Sequence, residues 1–247
     1  MRIIVFAYDF PHVKTNVGIN NLLSNEIRPD VVISQPFKKL NLPQNKIQFK
    51  SNFKDLKSTK YLCESLDIPY FRAEHNSDDS VDYIKRVQPD VGIILGARIL
   101  SNNIIKLFKR GILNIHHGFI PENRGLNTMQ WAILRNQKQA VTSHFIDQNI
   151  DLGEIIESLE IPVNTSDSLE NINDRINEYE QRILISSLSK IKEGYIGTFI
   201  NEKGVYNPAL TENNLEDCMI SKFEDYKKQY PNLNRYPIQI WLYLKYE

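Results

Sequence analysis

The chain has 247 residues, of which 41% are hydrophobic and 24% charged, and its formal net charge is +0 at pH 7. These proportions are typical of a globular protein with a real core, either one larger α/β domain or a smaller domain with an appendage. The balanced charge argues against a dedicated tRNA-binding protein, which would be expected to show a basic stripe.

The cysteines and the first residues indicate a compartment. Cys63 and Cys218 are the only cysteines, lie far apart and match no metal-ligand spacing. The apolar run at residues 3–7 is too short for a signal peptide or a spanning segment. We therefore expect a soluble protein of the reducing cytoplasm, with no membrane partner, no nucleic acid partner and no bound metal.

The first part of the chain alternates strand and helix patterns. Apolar runs predict strands at residues 2–7, 30–34, 68–71 and 91–95, and amphipathic spacing predicts helices at 17–27, 56–66 and 78–87. Such alternation is typical of crossover units around a parallel sheet. The loop predicted at residues 8–15 contains no G-x-G-x-x-G dinucleotide motif.

Residues 111–157 carry the polar side chains on which a functional interpretation depends. A strand at 111–115 leads into Asn114-Ile115-His116-His117, and a helix is predicted at about 127–135. A second apolar run at 141–146 leads into a polar loop at 147–153. In an open α/β sheet, ligands bind outside the carboxyl ends of the strands, so we expect the site at these two loops.

The last third of the chain begins with a long predicted helix at residues 167–192. Asp167 and Glu170 suggest an N-terminal box, and the polar side of this helix reads as a solvated face. The segment after residue 195 is rich in tyrosine, and residues 237–246 alternate as in a strand. A segment this small cannot bury a core alone, so it must dock on the main domain or on a second subunit.

An ordered set of motifs resembles the formyltransferases that use N10-formyltetrahydrofolate. The motifs are Asn-x-His at 114–116, Ile-Pro and Arg-Gly within 120–125, Trp-Ala-Ile at 131–133, and T-x-H-F-x-D with I-D-x-G-x-I-I at 142–156. The resemblance implies a doubly wound, mostly parallel α/β sheet of the Rossmann-like type with a short C-terminal β-hairpin. We place the catalytic domain at residues 1–194 and the appendage, which would pair two subunits in a homodimer, at 195–247.

The resemblance also implies a catalytic triad. Asn114 would donate its side-chain amide to the formyl oxygen, His116 would stabilise the oxyanion or relay a proton, and Asp151 would orient His116. His144 is expected to be a packed histidine that is hydrogen-bonded near the site, and His117 receives no role. Taken alone, each of these motifs would be an ordinary turn, and only their joint occurrence in order indicates formyl transfer.

The two substrates have separate candidate residues. For the folate, the resemblance indicates the loop after the fourth strand and the loop before Asp151: Arg98, Ile99, Leu100, Asp147, Asn149 and Ile150. For the acceptor, position and chemistry indicate loops at the carboxyl ends of strands: His12, Lys14, Asn76, Arg124, Gly125 and Asn127. Lys14 could equally be a solvated loop lysine, and Arg124 could pair with Glu122 or Asp147.

Two readings from other classes compete with this one. The histidines and carboxylates between His116 and Asp151 could form the metal cluster of a hydrolase, but no H-x-x-x-H or H-E-x-x-H spacing occurs. A non-catalytic binding module on the same fold would not need the intact triad.

Rivals within the family differ in their other parts. A formyltetrahydrofolate deformylase would usually have an N-terminal regulatory domain, and a methionyl-tRNA formyltransferase would have a larger C-terminal barrel. A glycinamide ribonucleotide formyltransferase would have a Gly/Ser-rich phosphate loop where this chain has FPHVKT. We therefore expect a nucleotide-sugar N-formyltransferase of O-antigen and lipopolysaccharide synthesis, acting on a dTDP-4-amino-4,6-dideoxyhexose.

Overall fold

A computed structural model of the chain describes residues 1–39, 47, 49, 55–147, 153–200, 202, 204–210 and 213–233. Nine strands are present in these ranges: β1 (Ile3–Tyr8), β2 (Val31–Gln35), β3 (Tyr70–Arg72), β4 (Val91–Ile94), β5 (Gly111–His117), β6 (Arg124–Gly125), β7 (Gln139–Phe145), β8 (Ile155–Ile161) and β9 (Tyr206–Asn207). The same ranges contain seven α-helices and a short 3-10 turn: α1 (Val13–Ser24), α2 (Thr59–Ser65), α3 (Asp78–Val87), α4 (Asn102–Ile105), α5 (Thr128–Leu134), α6 (Leu169–Lys192), α7 (Asn213–Gln229) and Tyr230–Asn232.

Seven of the strands form one twisted sheet in the order β3-β2-β1-β4-β5-β7-β8. The first five in this order run parallel, whereas β7 is antiparallel to β5, and β8 is antiparallel to β7. The strand order reverses between β1 and β4, so their carboxyl ends border the crevice typical of doubly wound folds. The predicted mostly parallel α/β sheet is confirmed.

Alternation along β1 explains why helices cover both faces of the sheet. Ile3, Val5 and Ala7 belong to a core that includes buried residues of α1, α2 and α6. Ile4 and Phe6 point to the opposite face, where they join a second core with residues of α3 and α4. A strand that is buried on both faces must be apolar throughout, as β1 is up to Ala7.

Helix α1 begins earlier than the sequence pattern predicted. It starts at Val13 rather than at residue 17, and His12 is its extended N-cap with φ −136. The polar side chains of the first turn, which looked like loop residues, bond to backbone carbonyls of neighbouring segments: Thr15 to Leu95 at 3.2 Å and Asn16 to Lys57 at 2.9 Å. Lys14 therefore lies in the first turn of a helix and not in a loop.

Helix α6 has a different N-terminal cap from the one predicted. Ser168 is the N-cap, and it forms a reciprocal capping box with Asn171. Asp167 lies outside the helix, where its carboxylate accepts bonds from the Arg175 guanidinium at 2.7 and 3.0 Å. The Arg175 side chain accordingly lowers the pKa of Asp167 below its ordinary value.

Within the range 195–247, where a β-hairpin appendage was predicted, residues 206–207 form β9 and residues 213–229 form α7. Apolar residues at positions 215, 219, 223 and 226 recur at helical spacing in α7, a stripe that the alternation at residues 237–246 overshadowed. Tyr226 and Tyr230 are buried and bond through their hydroxyls to Gln137 and Gln139 at the start of β7. This part of the segment therefore docks on the main sheet, as one of the two predicted arrangements required. Residues 237–246 lie outside the described residues.

Candidate functional site

Strand β5 presents the two predicted catalytic side chains on one face. Asn114 and His116 are two residues apart, so both point to the same side of the sheet, and Leu113, Ile115 and His117 point to the other. In the antiparallel pairing with β7, Asn114 lies opposite His144, and His116 lies opposite Thr142. The register therefore places an amide and an imidazole side by side at the carboxyl end of β5.

Asn114 is held by the buried His144. Its Nδ2 donates to Nε2 of His144 at 3.2 Å, and the His144 side chain is fully buried. An amide nitrogen carries two hydrogens, so one binds His144 and the second can bind a substrate oxygen. The expected place of His144, a packed histidine hydrogen-bonded near the site, is confirmed.

His116 is held from the other direction by the loop that follows β5. Its Nε2 donates to the backbone carbonyl of Asn123 at 2.8 Å, and both residues are buried. A carbonyl oxygen can only accept, so this contact keeps a proton on Nε2. The ring is thereby fixed in one orientation and one tautomer.

On the opposite face of β5, a cleft of about 570 Å³ opens beside the same strand end. Its lining combines the first turn of α1, the end of β5 and one side of α6: His12, Val13, Lys14, Val17, Phe49, His117, Asn173, Asp174, Asn177, Glu178, Glu180 and Gln181. Of the predicted acceptor residues, His12 and Lys14 lie here. His117, to which the sequence assigned no role, lies here too.

Glu180 is the main site residue that the sequence interpretation missed. It was counted with a solvated face of α6, yet it is 3% exposed. Its carboxylate forms an ion pair with Lys14, and Nε2 of His117 lies 3.4 Å from its second oxygen. The sequence does hold a signal, because Glu180 lies between Ile176 and Ile183 on the buried stripe of the helix.

The electrostatics of this cluster follow from burial, from the Lys14 cation and from the hydrogen bond that His117 can donate. Burial alone would raise the pKa of Glu180, but Lys14 and His117 outweigh it and lower this pKa to about 2. Burial, and next to it the Lys14 cation, lowers the pKa of His12. At neutral pH the cleft therefore has an ionised buried carboxylate and an uncharged His12 imidazole.

The predicted folate loop after β4 is shaped by Asn76. The Nδ2 of Asn76 donates to the carbonyl of Ile99 at 2.9 Å, and its Oδ1 accepts from the backbone nitrogen of Ser101 at 2.8 Å. Ile99 is held 73% exposed by this arrangement, whereas Leu100 is buried in the core. Asn76 was predicted to contact the acceptor, but both its amide nitrogen and its amide oxygen bond to the backbone of this loop.

A second recess, of about 360 Å³, lies where β1 and β2 end. Tyr8 and Phe10 stack with ring centroids 5.2 Å apart, and the exposed Phe37 meets Phe10 edge-on. The cations of this recess are Lys38, Lys39 and Arg98, and the guanidinium of Arg98 donates to the Lys38 carbonyl at 3.2 Å. We name it the aromatic recess.

The other predicted acceptor residues lie beneath the C-terminal segment. Arg124 is buried, with its guanidinium 6.0 Å from the Tyr206 ring centroid. Gly125 (φ +93) lies so close to Asn207 that a side chain would overlap the Asn207 carbonyl. The Oδ1 of Asn127 accepts from the backbone nitrogen of Leu210 at 2.9 Å. These contacts shape the loop after β5.

Several predicted residues lie outside the described residues, namely Asn149, Ile150 and Asp151. Asp147 follows the end of β7 at Phe145. Because β7 runs antiparallel to β5, with Phe145 opposite Leu113, this strand end lies at the edge where β5 begins, and not at the carboxyl ends of the parallel strands, where both loops were expected. Within the described ranges, no group of three or more His, Cys, Asp and Glu side chains is arranged to hold a metal ion. None of the helices described is both long and apolar enough to cross a membrane.

Comparison with known proteins agrees with this geometry. A family model described as formyl transferase matches residues 1–188, which is well over half of the 247-residue chain. The chain belongs to the formyl transferase family. The predicted family is therefore confirmed, and the formyl transferase match includes β5, β7 and all of the cleft-lining part of α6.

The sequence identity to individual formyl transferases is low. The methionyl-tRNA formyltransferase of Thermodesulfovibrio yellowstonii is 28% identical over 132 residues, which are 52% of this chain and 43% of that protein. The chain thus spans less than half the length of this curated relative.

Two solved structures share the fold. An N-formyltransferase from Helicobacter canadensis, in complex with folinic acid and dTDP-3-aminofucose, superposes with a TM-score of 0.59 at 20% identity, covering 86% of this chain and 72% of that one. Glycinamide ribonucleotide transformylase 1 from Symbiobacterium toebii gives 0.59 at 20% identity, covering 81% and 95%. At these identities the likeness establishes the formyl transferase fold and no acceptor.

The buried carboxylate of Glu180 gives a testable dependence of stability on pH. Because its pKa in the folded chain, about 2, lies below the ordinary 4.5, ionised Glu180 stabilises the fold above pH 4.5, and this contribution is lost as the pH falls toward 2. Glu180→Gln should lower the free energy of unfolding by about 3 kcal/mol at neutral pH, as removal of one partner of a buried ion pair does. Denaturant titrations at a series of pH values measure it.

The difference between the native protein and Glu180→Gln should shrink as the pH falls from 4.5. A difference that stays constant down to the acid limit would show that the Glu180 charge contributes nothing. Glu178→Gln is the matched control, because Glu178 is an exposed acid of the same helix paired with Arg182. Such surface pairs are worth little, so this variant should follow the native protein at every pH.

Proposed function

We propose that this protein transfers the formyl group of N10-formyltetrahydrofolate to the amine of a nucleotide-linked amino sugar, a dTDP-4-amino-4,6-dideoxyhexose. The observation that carries formyl transfer is the arrangement on β5. Asn114 and His116 stand side by side at a strand end, and each is anchored by one buried partner, His144 and Asn123. Membership of the formyl transferase family supports the same chemistry.

Acyl transfer to an amine needs a donor at the carbonyl oxygen and a group that moves a proton. The second amide hydrogen of Asn114 suits the first task, because the first is already bonded to His144. We assign the second task to His116, whose ring is held in place by the bond from Nε2 to the Asn123 carbonyl. We assign to Asp151 the orientation of His116 that the family resemblance implies. None of these roles requires a nucleophilic side chain.

We place the folate at the loop after β4. Asn76 holds that loop open-faced, with an apolar side chain exposed at Ile99 and backbone groups of Leu100 beside it. N10-formyltetrahydrofolate would supply the formyl group when bound, and backbone groups of this loop would contact its ring. We assign Asp147, Asn149 and Ile150 to the other wall of the same pocket.

For the acceptor, two recesses flank the residues that follow β1. His12 and Lys14 line the cleft, while Tyr8 and Phe10 line the aromatic recess, and the Tyr8 and His12 rings meet edge-on at 5.2 Å. A nucleotide-linked sugar has an aromatic base and a diphosphate at one end and a polar sugar at the other. We assign the base and diphosphate to the aromatic recess and the sugar to the cleft. Arg98, which the resemblance had indicated for the folate, lines the aromatic recess, so we assign it to the diphosphate instead.

We assign the remaining predicted acceptor residues to a structural role, which is to hold the loops around the site. The polar ends of Asn76 hold the folate loop, while Arg124, Gly125 and Asn127 contact residues 206–210. They would influence acceptor binding through the loops that they support. The product would enter O-antigen and lipopolysaccharide assembly, and we place the reaction in the cytoplasm, where Cys63 and Cys218 would stay in their free state.

Loss of either catalytic side chain should abolish most of the turnover. His116→Ala or Asn114→Ala is expected to lower kcat by about 100- to 1,000-fold, as loss of an oxyanion donor does, and Asp151→Asn similarly. Steady-state formylation assays measure this, with circular dichroism to verify folding. Asn20→Ala, which changes an exposed amide of α1, is the control and should leave kcat unchanged. Near-normal turnover of His116→Ala would refute the mechanism.

The acceptor class is tested by competing substrates. With N10-formyltetrahydrofolate as donor, a dTDP-4-amino-4,6-dideoxyhexose should be formylated faster than glycinamide ribonucleotide or Met-tRNA. Phe37→Ala should raise KM for the nucleotide sugar by about fivefold or more, because stacking of a base on an aromatic ring is worth about 1–3 kcal/mol. The KM for the folate should not change.

Phe199→Ala is the matched control for Phe37, since Phe199 is equally exposed and lies outside the aromatic recess. Faster formylation of Met-tRNA, the acceptor named for the curated relatives, would overturn the proposed acceptor class. A rise of KM for the folate alone in Phe37→Ala would place the folate, and not the nucleotide, in the recess, and an equal rise for both substrates would show that Phe37 supports the fold.

We also propose a homodimer formed through residues 237–246, whose alternating pattern would be an aggregation hazard as an exposed edge. Sedimentation velocity at micromolar concentration should give a dimer. A stable monomer would remove the proposal, and so would an active dimer lacking residues 237–247.

A further inference from the structure

The segment at residues 204–210, which we call the strap, lies along the loop that follows β5. Arg124 nitrogen donates to the Val205 carbonyl at 3.0 Å, Val205 nitrogen donates to the Pro121 carbonyl at 3.0 Å, and Leu126 nitrogen donates to the Asn207 carbonyl at 2.9 Å. These bonds give the parallel pairing of β6 with β9. The strap is far from this loop in the chain and lies beyond the part that the formyl transferase model matches.

The approach of the two backbones leaves no space for side chains at the glycines. A Cβ at Gly204 would overlap the carbonyl of Pro121, and one at Gly125 would overlap the carbonyl of Asn207. Both glycines also have positive φ, +54 and +93, which side chains rarely adopt. The strap therefore sits in one register on the loop.

A buried chain of three side chains leads from the strap to the catalytic strand. Asn207 Nδ2 donates to Asn123 Oδ1 at 2.6 Å, and Asn123 Nδ2 donates to the Thr128 carbonyl at 2.9 Å. The Asn123 backbone carbonyl in turn accepts from Nε2 of His116 at 2.8 Å. Asn207 and Asn123 are 0% and 2% exposed, so water cannot replace either partner without rearrangement.

We infer that Asn207 is a positioning residue for formyl transfer: it clamps Asn123, whose carbonyl holds the His116 ring in its Nε2-protonated orientation. This inference rests on the proposed function for its catalytic consequence. The clamp needs a hydrogen-bond donor at this position, because Asn123 Oδ1 is an acceptor, and the Asn207 amide supplies one. Without this donor, the Asn123 carbonyl is no longer held in position, and the His116 ring can rotate or change its tautomer.

Two variants distinguish the hydrogen bond of the Asn207 amide from the volume of its side chain. Asn207→Asp keeps the shape but presents an acceptor to Asn123 Oδ1, and Asn207→Ala removes the contact. Both should lower kcat by about 10- to 100-fold, the usual effect of a small displacement of a catalytic group, with KM for both substrates within about twofold. Trp131→Phe is the matched control, because its indole binds the same strap at the Pro208 carbonyl, 3.0 Å away, without a link to His116.

A second readout does not depend on activity. In ¹H–¹⁵N correlation spectra of the imidazole rings, with His116→Ala used to assign its signal, native His116 should show the Nε2–H form. In Asn207→Asp and Asn207→Ala this signal should move toward a mixture of tautomers, whereas Trp131→Phe should keep it.

The outcomes are distinct. An unchanged His116 signal with unchanged kcat in a folded Asn207→Asp would overturn the inference, and so would a fall in kcat that Trp131→Phe reproduces. A changed His116 signal in a protein that formylates no acceptor would uphold the positioning by Asn207 and refute the proposed function instead.

Discussion

The pairing of β5 with β7 is the constraint on which the proposed site depends. Side chains alternate along a strand, so the register that sets Asn114 opposite His144 also decides which face receives the amide and imidazole. A slip of one residue would bring Ile115 and His117 to that face and bury the catalytic pair against α6. The strands that flank β5 in the sheet, β4 and β7, are buried, so a change of register would disrupt the packing of the apolar cores.

The polar groups around β5 are buried or half-buried, and each of those that the proposed site uses has a specific partner. An unpaired buried amide or carboxylate would cost more free energy than a single hydrogen bond returns. Glu180 is balanced by Lys14 and His117, Asn114 by His144, and His116 by Asn123. These partners come from α1, β5, β7 and the loop after β5. The candidate site therefore also holds these elements together.

Sequence patterns predicted those features that are local. Helix α3 was predicted at the residues where it lies, because Ser77 caps it and its apolar spacing is regular. The end of β5 and the packed place of His144 were also predicted, through motifs whose order is specific. Helix α1 was placed late because the polar residues of its first turn bond to distant carbonyls, which no local pattern reveals.

The two contacts that matter most beyond the motifs are long-range. The position of Glu180 on an apolar stripe predicts burial, but nothing local names Lys14 and His117 as its partners. Asn207 lies in a short stretch without regular periodicity, and its role follows only from the pairing of β6 with β9. Partner identity of this kind is a property of the assembled fold and not of any window of the sequence.

The strap also determines when the site is complete during synthesis. The chain emerges from its N-terminus, so β5 and the loop after it are made well before residues 204–210. Until the strap arrives, Asn123 lacks its clamp and the loop after β5 lacks the backbone partners of Pro121, Arg124 and Leu126. A nascent chain can therefore form its parallel sheet before the His116 ring is held in place, and the proposed site is complete only after residues 204–210 have docked.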